Sequence, residues 1–142
     1  MSVAAGAILL AGRIVFAFFF AMAGWRHLVG GAQMTGYARS VGFPAPALAA
    51  WPAGIWLLAA AVSVGAGIWA DIGALMLIAF LAPAAVWFHA FWKVPEDQAQ
   101  MQTQLFFRNL TFIGACIVLF AVFAGLGEAI RYAVTSALIE LT

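Results

Sequence analysis

Four apolar runs, Val3–Gly24, Ala47–Ile68, Ile72–Trp92 and Leu105–Leu126, decide what this chain can become. Each is near the roughly 20 residues a helix needs to cross a bilayer. Lipid offers backbone N–H and C=O groups no partners, so such runs must be helices, whose hydrogen bonds close internally. Only 8% of the 142 residues are charged, against about 25% in a soluble domain. A chain so poor in charge cannot cover a water-facing surface. The sequence therefore reads as an all-α integral membrane four-helix bundle, a single domain over residues 1–142, in the cell (inner or plasma) membrane. The first run has no basic residues ahead of it, and Gly24-Trp25-Arg26 is a poor cleavage site. It is read as a retained span rather than a signal peptide.

The connections add detail. Only Trp69, Ala70 and Asp71 separate the second and third runs, which predicts a tight antiparallel hairpin. The polar stretch Lys93–Gln104 joins the third and fourth runs, and its part Glu96–Gln104 reads as a solvated connector rather than an acid–base site. In the longest connection, Trp25–Pro46, residues Met34, Tyr37 and Val41 recur at helical spacing, with Gln33 and Arg39 opposite. That pattern predicts a short interfacial helix over residues 32–41. Trp25, Trp51 and Trp92 mark one membrane boundary and Trp69 the other, an aromatic belt. Arg26, Arg39 and Lys93 lie on the longer connections, which the positive-inside rule assigns to the cytoplasm, with both termini outside. Ala59, Ser63 and Gly67, and again Ala121 and Gly125, are spaced four apart and suggest close helix packing. Pro83 should kink the third span.

Arg13 is the residue that composition does not explain. It lies inside the first run, and all five carboxylates fall outside the runs or at their edges. A guanidinium stays protonated, and at mid-membrane it costs about 2.5–3.5 kcal/mol on insertion scales. Counting from the span ends puts Trp56 at the depth of Arg13, as a cation–π partner; backbone carbonyls and water compete for the same charge. A second set gathers near the longer-connection face: Arg26, His27, His89, Arg108 and Asn109. Their donors suit a carbonyl oxygen, a phosphate or a carboxylate, as a rim for an anion or a quinone. The structural alternative is that Arg26 and Arg108 snorkel to headgroups while His89 caps a carbonyl. A bis-histidine haem is disfavoured, because His27 sits at a boundary. The single cysteine, Cys116, excludes a disulfide within the chain, and there is no zinc spacing. A net charge of +1 gives no sign of a nucleic-acid partner.

Together these residues resemble the DoxX family of small four-helix membrane proteins. The likeness runs through Gly12-Arg13, Gly24-Trp25-Arg26-His27, Tyr37, Gly42-Phe43-Pro44, Gly54, Gly65, His89-Ala90-Phe91-Trp92 and Arg108-Asn109-Leu110. The family usually carries a glutamate and a glycine pair in the second span, where this chain has Trp56, Ala59 and Ala60. The resemblance implies that the glutamate would stand near Arg13, so any activity needing it is in doubt here. It also implies a loose link to membrane redox assemblies, including subunits of a thiosulfate:quinone oxidoreductase.

Three readings follow. The chain is an accessory or anchoring subunit of a membrane, redox-linked assembly, in which Arg13 pairs with a partner protein or a second copy. Alternatively it is a quinone-linked oxidoreductase subunit, with the quinone at Arg13 or at His89 and Arg108. The third reading is a small-anion or lipid carrier. The sequence has no flavin, haem or iron–sulfur motif, so no cofactor of its own is expected and catalysis by the chain alone is not favoured. Quinone is the one such molecule the second reading requires. Membrane lipid and a homo- or hetero-oligomeric partner complete the expected contacts.

Overall fold

The computed structural model describes residues 1–141. Five α-helices account for most of it: α1 (Val3–Val29), α2 (Gly31–Ser40), α3 (Trp51–Ala66), α4 (Ala70–Pro83) and α5 (Glu96–Leu126). Among the described residues there is no strand. Three helical stretches, Val3–Val29, Ala70–Lys93 and Glu96–Ala129, are long and apolar enough to cross a membrane, and Trp51–Ala66 is a shorter apolar helix. At 1.5 Å per residue, α3 spans about 24 Å, short of a hydrocarbon core of about 30 Å.

Helix ends differ from the run ends for local reasons. Ser2 caps α1, its Oγ accepting from the Ala5 N–H. The helix passes through Gly24 without breaking and stops at Val29, with Arg26 and His27 in its last turn, where cations suit the helix dipole. Residues 46–49 form a 3-10 turn, so α3 starts only at Trp51, with Pro52 in its first turn. It ends at Gly67, whose φ of 72° is the left-handed cap that glycine adopts without strain. Pro83 has no N–H to donate, and after it α4 widens into a π-helical turn, Ala84–Phe88, leaving His89 outside regular helix. Regular α-helix in the third span therefore ends at Pro83, nine residues before the run ends at Trp92. The connector Glu96–Gln104 is helical and extends α5, with Glu96 and Asp97 in the first turn, the favourable place for acids.

α1, α3, α4 and α5 pack in that order, with α2 laid against the 3-10 turn that precedes α3. The core holds Ala17, Phe20, Leu57, Ala60, Ala61, Val64, Ala74, Leu77, Leu81 and Cys116. Close approach of α1 and α3 rests on Gly24 and Gly54. A Cβ on Gly54 would lie 2.6 Å from Leu28 Cδ2 and 2.9 Å from the Gly24 carbonyl oxygen. On the other face of α3, Gly73 sits against Ser63 and Val64. Of the spaced small residues, Ser63 thus meets a neighbouring helix, but Ala59 and Ala121 are exposed, and nothing lies within 4 Å of a Cβ placed on Gly125. α1 and α5 meet through large rings instead, Phe112 lying 4.8 to 6.1 Å from Phe16, Phe19 and Phe20. Gly54→Val should destabilise the fold by about 2 kcal/mol through overpacking. A denaturant titration in detergent measures this, and an unchanged midpoint would contradict the close approach.

Beyond α5 the chain forms a strap that rings the terminal end of the bundle. Arg131 Nε donates to the Met1 carbonyl. Val134 and Thr135 N–H bond the carbonyls of Ala66 and Gly67, and Leu141 N–H returns to Ala124 O on α5. The Trp69 N–H donates to Thr135 Oγ1. The strap thus covers the α3–α4 turn and closes back on the helix it left.

Candidate functional site

At the opposite end the helices enclose a cavity of about 560 Å³. Its walls come from every helix. Phe19, Phe20 and His27 belong to α1, Met34 and Tyr37 to α2, Trp56 to α3, Phe80 and Pro83 to α4, and Arg108 and Asn109 to α5, with Phe88 and His89 from the π-turn and the residue after it. The break at Pro83 opens the α4 wall. α2 and the following loop form a roof. The Tyr37 hydroxyl donates to the Phe88 carbonyl at 3.0 Å, and the Phe43 ring lies 5.8 Å from Trp87 and 5.4 Å from Phe88.

Five of the six candidate residues meet here: His27, Trp56, His89, Arg108 and Asn109. His27 Nδ1 lies 2.6 Å from the Ala49 carbonyl, and His89 Nδ1 lies 3.0 Å from Gln102 Oε1. The Ala49 carbonyl can only accept, so His27 Nδ1 carries the proton; with Gln102 presenting its Oε1, His89 Nδ1 does the same, and in each neutral ring Nε2 is left as an acceptor. Asn109 is 4% exposed. Arg108 stacks over Phe19 with its Cζ 5.9 Å from the ring centroid. The indole N–H of Trp56 donates to the Met76 carbonyl at 2.8 Å. The cavity is thus apolar over most of its surface, with two imidazole acceptors, a guanidinium and a carboxamide. Arg26 is exposed on α1 and is not part of the lining.

Arg13 lies elsewhere, and its expected neighbour Trp56 is not beside it. The guanidinium sits 5.3 Å from the Phe123 ring and donates to three carbonyls: Nε to Val64 O at 3.0 Å, Nη2 to Gly65 O at 2.9 Å and to Tyr132 O at 3.1 Å. The depth count failed because it took Gly24 and Ala47 as helix ends. Gly24 instead faces Gly54, and eleven residues back along α1 Arg13 reaches Gly65, eleven residues on along α3. In that register Trp56 is level with Met22, about 14 Å from Arg13 at 1.5 Å per residue. A glutamate at position 56 would not reach Arg13.

The three bonds explain why an arginine is here. The last four carbonyls of a helix lack intrahelical donors. For α3, the Ser63 carbonyl takes Gly67 and Ile68 N–H, Val64 and Gly65 take Arg13, and Ala66 takes Val134 N–H. Arg13 is a C-terminal cap for a neighbouring helix, placed where the helix dipole favours a cation. Asp71 was invisible as a functional residue in the sequence, at the edge of an apolar run. It is fully buried in the first turn of α4, and its Oδ2 accepts from Leu138 and Ile139 N–H at 2.9 Å each. Gln102, which orients His89, was hidden in a stretch that looked like a connector. Among the described residues, no group of three or more His, Cys, Asp or Glu side chains is placed to hold a metal ion.

The DoxX family model matches residues 8–90. No curated protein and no solved structure matches the chain. The match covers more than half of the 142 residues and runs from α1 to the residue after His89. On that match and on its long apolar helices, the chain belongs to the DoxX family and is a membrane protein.

Proposed function

We propose that this DoxX-family protein holds a quinone-class molecule in the His27–His89–Arg108–Asn109 cavity, as the membrane subunit of a redox assembly whose electrons come from a partner protein. The supporting observation is the cavity itself. Its volume of about 560 Å³ falls in the range of small-molecule sites, roughly 300–1,000 Å³. Arg108 and Asn109 would donate to ring carbonyls, and the apolar walls would take the ring and the start of its tail. When bound, a quinone would supply two-electron acceptor chemistry. Arg13 supports this choice over assembly through an unpaired charge, because its Nε and Nη2 engage carbonyls of its own chain and the side chain, Nη1 included, is buried within it. Below the cavity, Phe16, Phe20 and Phe112 fill the space between α1 and α5, which favours binding over passage.

In this reading the three long apolar helices and the shorter α3 all cross the cell membrane. α3 completes its crossing with the flanking turns, and both termini lie on the side of the α3–α4 turn. Purification in mild detergent followed by solvent extraction tests the binding. Near-stoichiometric quinone is expected, reduced at least tenfold in Arg108→Leu and Asn109→Leu, and unchanged per folded molecule in Gly12→Ala, a position with nothing within 4 Å. Absence of quinone in the wild-type protein, both as purified and after titration with a short-chain benzoquinone, would sink the proposal.

A further inference from the structure

We infer that the cavity is built for a ring bearing hydroxyl groups and binds the reduced, dihydroxy form of its ligand more tightly than the dicarbonyl form. This rests on the binding role proposed above and goes beyond it. The argument starts from which hydrogen-bonding groups the protein leaves unused. His27 gives its Nδ1 proton to Ala49 O and His89 gives its own to Gln102 Oε1. A neutral imidazole has one donor and one acceptor, so Nε2 is what each ring has left to offer, and it offers a lone pair. The polarity is set by the Ala49 backbone carbonyl and by the oxygen that Gln102 presents to His89.

The remaining polar groups point the other way. Arg108 brings donors only, and Asn109 can donate through its amide nitrogen; neither side chain has a hydrogen-bond partner among the described residues, and Asn109 is buried. Gln102 and Asn109 are seven residues apart on α5, two turns along one stripe, so His89 and Asn109 are served by the same helix face. A carbonyl oxygen only accepts. A dicarbonyl ring can satisfy Arg108 and Asn109 but leaves both imidazole lone pairs without a donor. A hydroxyl does both, donating to Nε2 while accepting from Arg108 or Asn109. Both imidazoles are half-buried, and an acceptor shut off from water by the bound ring without gaining a donor carries a desolvation penalty, so the dihydroxy ring is the better match.

The test uses the purified full-length protein, stripped of endogenous ligand, under anaerobic conditions. A short-chain benzoquinone, its hydroquinone, and the dimethyl ether of that hydroquinone are titrated by calorimetry. The hydroquinone should bind about tenfold more tightly than the quinone, which corresponds to about 1.4 kcal/mol. The ether, which accepts but cannot donate, should behave like the quinone. His89→Phe should erase most of the preference for the hydroquinone, and retained thermal unfolding would show the variant to be folded. Equal affinities, or tighter binding of quinone or ether, would overturn this inference and leave quinone binding standing. Failure of all three compounds to bind would overturn both. The wild-type comparison decides the matter even if the variant does not fold.

Discussion

Arg13→Met should lower the unfolding free energy by about 3 kcal/mol. Removing a buried charge often brings relief, because the desolvation cost goes with it, and swapping a whole buried ion pair for apolar residues is frequently neutral. That escape is closed here. The partners are the main-chain carbonyls of Val64, Gly65 and Tyr132, which no substitution can delete. Each carbonyl left bare in apolar surroundings costs about 1–3 kcal/mol, and the methionine side chain regains part of this by packing on Phe123. Arg13→Lys should recover only a fraction, since an ammonium on a flexible stem lacks the fork that reaches carbonyls of two segments at once. A reversible denaturant titration in mixed micelles measures both variants. A midpoint for Arg13→Met equal to or above that of the parent would refute the capping role. Tyr132 carries a φ of 61°, a left-handed conformation that a bulky residue keeps only when its surroundings hold it there. Hydrogen exchange should therefore speed up around Tyr132 in the same variant.

Asp71→Ala should release the second half of the strap while leaving the helices in place. Asp71 Oδ2 is the acceptor for the N–H groups of Leu138 and Ile139. Their loss should raise the local opening equilibrium by about 2 kcal/mol, or roughly 30-fold faster amide exchange over residues 134–141. Asp71→Asn keeps a carbonyl oxygen and should show a much smaller effect. Exchange that is unchanged in the alanine variant would mean that the other strap contacts suffice. Because Arg13 and Asp71 hold the same segment, the double variant should be less destabilised than the two single effects added together. Strict additivity would show that the strap does not couple them.

Apolar runs dictate helices because composition and length act locally, and helices in all four runs, with a short one at Gly31–Ser40, were legible in the chain. The ends of α1 and α5 differ from the run ends because capping and close approach set them rather than polarity: α1 passes through Gly24, and the connector Glu96–Gln104 is the start of α5. The rim of His27, His89, Arg108 and Asn109 could be guessed because span ends share a level, whatever the packing. Trp56 reaches that cavity for a reason the depth count did not contain.

By itself, then, the sequence determined a helical membrane protein with an unexplained arginine and a polar cluster at one end. Only the tertiary structure decided what each was for. The register of α1 on α3 follows from Gly24 meeting Gly54, a contact between backbones that no periodicity encodes. That register hands Arg13 the open carbonyls at the end of α3 rather than the ring of Trp56. The strap has no repeating pattern to read. It is ordered by hydrogen bonds to groups far away in the chain, and such bonds exist only once the helices have packed.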